Sequence, residues 1–183
     1  MANDSSQSVC SMNDRTLAPY AHRLAGAIGA CQESAFEDLC FDLEYDQVGK
    51  DKWPQEVFNF FTDALRNPMV CALKGSYAFV TTLRRDFDKL TSAQHSALLK
   101  VIDDNADEFG DEMLRHASSD LIARLYEPKV ALSKFMRWVH QGTPRRLHMA
   151  QVGLEVLIMA RRLEPGDEPK VREQLQWLWK REH

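Results

Sequence analysis

One stretch of the chain constrains its fold more than any other. Residues 144–163 read PRRLHMAQVGLEVLIMARRL. With about 100° of rotation per residue, the apolar side chains of a helix here fall on two opposite sides: Leu147, Ala150, Leu154, Leu157 and Ile158 on one, and Met149, Val152, Val156, Met159 and Leu163 on the other. A helix that is apolar nearly all round is buried from both sides. We therefore expect a central helix between the neighbouring segments 128–141 and 168–181.

The rest of the chain also carries helical signals. Thr91 and Gln94 have the spacing of a capping box, Gly142 is a stop signal, and Thr143-Pro144 is a start signal. These signals predict helices over about 15–29, 33–45, 54–66, 68–89, 91–108, 111–125, 128–141, 144–163 and 168–181, with Gly75 as a weak point of the helix over 68–89. No hairpin of strands is indicated. We expect an all-α fold of eight or nine short helices in successive antiparallel hairpins, forming one domain over 14–183 after a disordered lead at 1–13.

Part of this pattern resembles a known repeat family. The spacing of Ala150, Leu154 and Leu157 is similar to the second helix of a HEAT repeat. The same helix is resembled by two further sets of residues: Asp111, Leu114, Arg115, Ile122 and Leu125, and then Asp167, Val171 and Arg172. The resemblance to HEAT/armadillo-like helical repeat proteins covers about 111–183 and implies protein binding along a grooved surface. The alternative is an irregular helical bundle, because the units do not recur at a regular period.

Composition and charge restrict where and how such a chain works. None of its apolar runs reaches the roughly 18–20 residues of a membrane span, and residues 1–15 lack the features of a signal peptide. We expect a cytoplasmic protein in which the cysteines are free thiols, namely Cys10, Cys31, Cys40 and Cys71. The net charge of −4 is uneven, since 10 Lys and Arg against 17 Asp and Glu give −7 over 1–110, while 13 against 10 give +3 over 111–183.

The sequence offers little for catalysis. Its six histidines form neither an HExxH motif nor a pair four residues apart, and the chain has no GxSxG motif or glycine-rich phosphate loop. Of the acids, only Glu155 shares the polar stripe of His148 in the central helix. We therefore predict a protein that is not an enzyme, with no cofactor and no metal site.

The segment 33–46 provides the candidate binding site. Phe41 and Tyr45 lie one helical turn apart, on the side opposite to a core-facing stripe of Phe36, Leu39, Cys40 and Leu43. Four acids flank the pair, namely Glu37, Asp38, Asp42 and Glu44. Exposed aromatic anchors within an acidic rim are typical of a hot spot for a basic protein partner. The alternative is that a second layer of helices covers both rings.

A basic segment is the opposite candidate. Residues 129–162 contain seven bases and one acid, and could face nucleic-acid phosphates. Arg145 and Arg146 lie in a first helical turn, where the helix dipole disfavours positive charge. They either form local salt bridges or contact an anionic partner. The negative overall charge and the absence of a reader motif argue against nucleic acid.

These features favour a non-enzymatic protein that binds another protein with a basic surface. A small acidic helical chain suits the role of a cytoplasmic immunity protein or antitoxin, which neutralises a toxin by direct binding. A HEAT-like adaptor or scaffold in a cellular assembly is the first alternative. A nucleic-acid-associated protein that uses 129–162 is the second.

Overall fold

The computed structural model describes residues 14–30, 32–48 and 52–182, and within them it confirms an all-α fold. The described residues form ten α-helices and no strand. The helices are α1 Asp14–Ala30, α2 Glu33–Gln47, α3 Gln55–Arg66, α4 Pro68–Cys71, α5 Tyr77–Arg85, α6 Ser92–Asn105, α7 Glu112–Leu125, α8 Pro128–Gln141, α9 Pro144–Met159 and α10 Glu168–Glu182. The predicted disordered lead, 1–13, lies outside the described residues.

Local signals set most helix boundaries. The capping box at α6 is present: the backbone N–H of Gln94 donates to Oγ1 of Thr91 at 3.2 Å, and that of Thr91 donates to Oε1 of Gln94 at 2.9 Å. Gly142 ends α8 with a φ of 73°, in the left-handed region that glycine adopts at low cost. The side chain of Thr143 then accepts a hydrogen bond from the N–H of Arg146 at the start of α9.

Two predicted helices differ from the structure. The helix expected over 68–89 is divided into α4 and α5, because Gly75 has a φ of +91°. A Cβ at this position would lie 2.6 Å from the carbonyl oxygen of Glu33, so the break allows the backbone to approach α2 closely. The helix expected over 144–163 ends at Met159, and Arg161 has a left-handed φ of 53°.

Four helices form one layer and run in the same direction. α2 packs on α5, α5 on α7, and α7 on α9. Between α2 and α5, contacts join both the first turns, through Tyr77, and the last turns, through Arg85. α7 and α9 also run in the same direction. His148 lies beside the start of α7, and Arg162 lies beside the end of α7.

The remaining helices flank this layer. α3 packs against α5 and α6, and α8 packs against α7 and α9, while α1 and α10 lie against α2 and α9 at the two ends. Helices that share a direction and are joined by intervening helices are the arrangement that successive hairpins produce.

The central helix α9 is buried from both sides, as its sequence predicts. Leu154 on one side is fully buried, and Val156 on the other is 6% exposed. Met159 at the C-terminal end is the exception, with 69% of its surface exposed. α9 is covered by α7 as well as by the expected neighbours α8 and α10.

A cluster of aromatic side chains packs against the buried side of α2. The Phe36 ring of α2 meets Phe79 of α5 edge-on at 5.9 Å, Phe79 meets Phe61 of α3 at 5.6 Å, and Phe61 meets Trp53 at 4.9 Å. All four side chains are buried. The side of α2 opposite to its solvent-facing side is therefore packed firmly into the core. Among the described helices, none is both long and apolar enough to cross a membrane.

Candidate partner-binding site

Phe41 and Tyr45 project from the outer side of α2 into solvent. Phe41 is 61% exposed and Tyr45 is 76% exposed, and their rings stack at 6.4 Å with an angle of 13° between the ring planes. The opposite side of α2 is buried through Phe36, Leu39, Cys40 and Leu43. The helical phase read from the sequence therefore places both rings correctly, and the alternative in which another layer covers them does not occur among the described residues.

Glu37 and Asp38 lie on the exposed part of α2 before Phe41. Glu37 accepts a hydrogen bond from the hydroxyl of Tyr77 in α5. This bond, together with partial burial, raises the pKa of Tyr77 to about 12, so the phenol remains protonated at neutral pH. Asp38 is exposed and contributes negative charge to the rim.

Two of the flanking acids are already paired with cations from other helices. Asp42 pairs with Arg23 of α1 at 2.9 Å, and Glu44 pairs with Arg85 of α5. Because these cations come from distant parts of the sequence, the segment 33–46 alone overstates the negative charge of this face. Both cations are more than 40% exposed, so a competing basic partner can reach the pairs.

A shallow groove runs beside Phe41 between α2 and α5. Its volume is about 250 Å³, and its lining includes Glu37, Tyr77, Thr81 and Arg85. The groove combines an aromatic wall, hydroxyl groups, the carboxylate of Glu37 and the guanidinium of Arg85, which is paired with Glu44. Together with the exposed rings, it offers a place for one long side chain of a partner.

Arg145 and Arg146 have different environments. Arg146 is only 14% exposed, and it pairs with Asp107 at 2.8 Å and with Asp103 at 3.4 Å. For Arg146, the structure therefore shows the local salt bridge that was one of the two predicted alternatives. Arg145 is exposed and donates to the backbone carbonyl of Asp107.

Asp103 of α6 is a centre of buried charge that the sequence does not reveal. It accepts hydrogen bonds from Nζ of Lys134 at 2.8 Å, from Nε1 of Trp138 at 2.7 Å and from Arg137. Burial acts to raise the pKa of Asp103, but these hydrogen bonds outweigh it and lower the pKa to about 2. The acid therefore ties α6 to α8 as a permanent anion.

Most of the bases of 129–162 have partners within the protein, although Lys129 and Arg137 remain 69% and 49% exposed. Lys129 pairs with Glu164 at 3.0 Å, and Arg162 donates to the carbonyl oxygen of Ala123 at 2.6 Å. Lys134, Arg137 and Arg146 all contact Asp103. A phosphate backbone would have to compete with these internal partners.

A different group of side chains has the chemistry of metal ligands. Glu112 and His116 of α7 meet His148 of α9, and one ligand atom from each lies within 4.8 Å of the others. The sequence alone does not indicate this group, because Glu112 and His116 lie in a different helix from His148. The i, i+4 spacing of Glu112 and His116 was the available signal.

A second exposed aromatic surface lies at the C-terminal end of the described chain. Trp177 and Trp179 of α10 are 44% and 51% exposed. Trp177 borders a groove of about 680 Å³ between α8 and α10, together with Met136 and Val139. No acidic segment comparable to 33–46 accompanies it, so it provides a comparison surface for the site on α2.

Comparison with known proteins adds no relative. No family model, curated protein or solved structure matches the chain. The chemistry of the surfaces described above therefore carries the functional argument.

Proposed function

We propose that the protein is not an enzyme and that it binds a basic protein partner through the outer side of α2. The observation that carries this proposal is the pair of stacked, exposed rings of Phe41 and Tyr45, held on a rigid helix beside acidic side chains. Aromatic side chains provide large contact areas at low conformational cost, which is why they dominate binding hot spots. The acids provide the complementary charge.

The expected partner presents a basic residue next to an apolar one. A Lys or Arg side chain fits the groove beside Phe41, where Glu37 lies and where the aromatic face attracts a cation. An apolar side chain of the partner covers the stacked rings. Arg23 and Arg85 are exposed enough to exchange their carboxylates with such a partner.

We further propose that this protein is an immunity protein or antitoxin that blocks a toxin by direct binding. Support comes from properties rather than from any match: small size, a negative charge of −4 and a helical frame with an acidic binding face. A HEAT-like adaptor in a cellular assembly is the second candidate. The layer of helices α2, α5, α7 and α9 with a common direction favours it.

The nucleic-acid alternative loses support from the contacts of its own bases. Binding to phosphates needs cations whose charge is available at the surface. Lys134 and Arg146 are 13% and 14% exposed, and each is already bound to Asp103. The cytoplasmic location remains a prediction from the sequence.

The test first identifies the partner and then measures how its affinity depends on the outer side of α2. A partner captured by the tagged protein is identified, purified and titrated against the wild-type chain and the double variant Phe41→Ala/Tyr45→Ala. We expect the double variant to lose about 2–4 kcal/mol of binding free energy, or roughly 30- to 1000-fold in affinity. Trp177→Ala is the matched control, because it removes an exposed ring from a different surface and should leave the affinity unchanged.

The contribution of the acidic side chains is tested separately at Asp38, because Asp38 is exposed. Asp42 is less suitable, since reversal of its charge would also break the pair with Arg23. Asp38→Lys should slow association and weaken its dependence on salt concentration, with a smaller effect on dissociation. Thermal unfolding of the aromatic double variant should match that of the wild type, since neither ring is in the core.

Two results would contradict the proposal. One is a partner whose affinity is the same for the wild type and for the Phe41→Ala/Tyr45→Ala variant, which would place the interface elsewhere. The other is a partner that depends on these rings but has an acidic contact surface, which would remove the role of the acidic rim.

A further inference from the structure

The first turns of α7 and α9 bring three metal-binding side chains together. Glu112 and His116 lie four residues apart in α7 and therefore on the same side of that helix. His148 comes from α9, which packs against α7 in the same direction. The His116 and His148 rings lie 5.1 Å apart at their centroids with an angle of 68° between them. Two imidazoles and one carboxylate thus converge from two adjacent helices.

We propose that Glu112, His116 and His148 bind one Zn²⁺ ion. Zn²⁺ takes imidazole nitrogen at about 2.0–2.1 Å and carboxylate oxygen at about 2.0–2.2 Å, usually in a tetrahedral arrangement. Two such ligand atoms around one ion are about 3.4 Å apart. Nε2 of His116 and Oε1 of Glu112 are 3.8 Å apart, and all three ligand atoms lie within 4.8 Å of one another. Small side-chain rotations therefore bring the set to bonding distance.

The environment of the group permits these rotations. The side chains of Glu112 and His116 are 69% and 44% exposed, so they can move without disturbing the core. Their exposure also leaves one side of the ion open to solvent. Three protein ligands and one water complete a four-coordinate site.

Besides binding the ion, Glu112 supplies negative charge at the start of α7. The first turn of a helix carries a partial positive charge, which disfavours a cation. A carboxylate in that turn supplies negative charge where the ion binds. The nearby cation Arg115 is held away from the group, because it donates to the carbonyl oxygens of Phe109 and Gly110, both at 2.8 Å.

Binding should join α7 and α9 more firmly. An ion that binds only the folded chain shifts the folding equilibrium towards it. At a free Zn²⁺ concentration 100 times its dissociation constant, the ratio of folded to unfolded chains rises roughly 100-fold. This gain is independent of any protein partner and of the proposed function of α2.

The experiment titrates the metal-free full chain with Zn²⁺ by calorimetry and records thermal unfolding with and without Zn²⁺. We expect one ion per chain and a raised unfolding temperature. His116→Ala should weaken binding by more than the roughly 10- to 100-fold loss typical of changes to groups that only support a ligand. Glu112→Gln, which keeps the shape of the side chain, should also weaken binding. Bound Co²⁺ should show the visible absorption of a four-coordinate ion.

His140→Ala is the matched control, because it removes an exposed histidine from α8 and should leave both the stoichiometry and the affinity unchanged. His116 is partly exposed, so its variant should keep the helical circular dichroism of the wild type. His148→Ala adds a test from the second helix. The proposal is overturned if Zn²⁺ does not bind below millimolar concentration, or if His116→Ala binds it as the wild type does.

Discussion

Asp103 is the side chain whose charge we expect to matter most for stability. It is 17% exposed and lies between Lys134 and Arg146, which are 13% and 14% exposed. Asp103→Asn keeps the shape and the acceptor oxygen for Trp138 but removes the negative charge. The two cations are then left partly buried without their shared anion, and such a loss costs several kcal/mol in a fully buried site.

The magnitude follows from the pKa of Asp103 and from its burial. A shift from the ordinary value of 3.8 to about 2 corresponds to roughly 2 kcal/mol of stability at neutral pH. This figure already includes the loss of the ion pairs with the neighbouring cations. We expect Asp103→Asn to reduce the free energy of unfolding by about 2 kcal/mol at pH 7. Because the pKa of Asp103 is lowered by folding, its contribution is complete above 3.8 and declines as the pH falls towards 2.

The assay is urea unfolding followed by helical circular dichroism at a series of pH values. The difference between wild type and Asp103→Asn should be constant near neutral pH and shrink as the pH falls from 3.8 towards 2. Asp104→Asn is the control, since Asp104 is 53% exposed and, among the residues that the structure describes, pairs with exposed Lys100 alone. It should change stability by less than about 0.5 kcal/mol. A loss at Asp103 that is equally small, or that stays the same at every pH, would refute this reasoning.

Two further predictions concern the packing of α9. Leu154→Asp and Val156→Asp lie on opposite sides of the helix, and each should destabilise the fold by more than about 3 kcal/mol in urea unfolding, because each buries an unpaired carboxylate. Tolerance of either change would show that its side of α9 faces water. Gly153→Ala should also destabilise, by about 1–3 kcal/mol, despite the higher helix propensity of alanine. Its Cβ would overlap the Phe135 ring, so Phe135→Leu in the same chain should recover part of the loss; an additive double variant would rule out this contact.

The class of fold could be predicted because its signals are local. The capping box at Thr91, the stop at Gly142 and the periodic apolar positions of α9 each act within one or two helical turns. The direction of Phe41 and Tyr45 away from the core was predictable for the same reason, since the phase of one helix decides which side faces the core. That no described helix covers the two rings is seen only in the structure.

The sequence does not reveal contacts between helices, because these contacts depend on which helix lies opposite. The sequence marks Gly75 as a weak point of its helix, but it does not show that the backbone of Glu33, 42 positions earlier, comes close to its α-carbon. The pairs of Asp103 with Lys134 and Arg146 likewise join α6 to α8 and α9. Helical phase gives the direction of a side chain but not the identity of its neighbour, so these contacts and the Glu112 cluster required the three-dimensional arrangement.

The common direction of α2, α5, α7 and α9 has a further consequence for the field around the molecule. Their dipoles add, so partial positive charge collects along the edge where these helices begin and partial negative charge along the edge where they end. Several charged residues follow this field: the first turns of α2 and α7 carry acids and the last turns of α5 and α7 carry bases, namely Glu33, Glu112, Arg84, Arg85 and Arg124. The last turn of α2 is an exception, since it carries Glu44 and Asp46.

α9 reverses this order, since its first turn carries Arg145 and Arg146. Each misplaced charge costs about 0.3–1 kcal/mol in isolation. Asp103 of α6 and Asp107, which follows the end of α6, lie against these arginines and supply the negative charge that the first turn of α9 lacks. Acids from a segment that α7 and α8 separate from α9 thus offset the dipole of α9, and these parts of the chain depend on each other electrostatically.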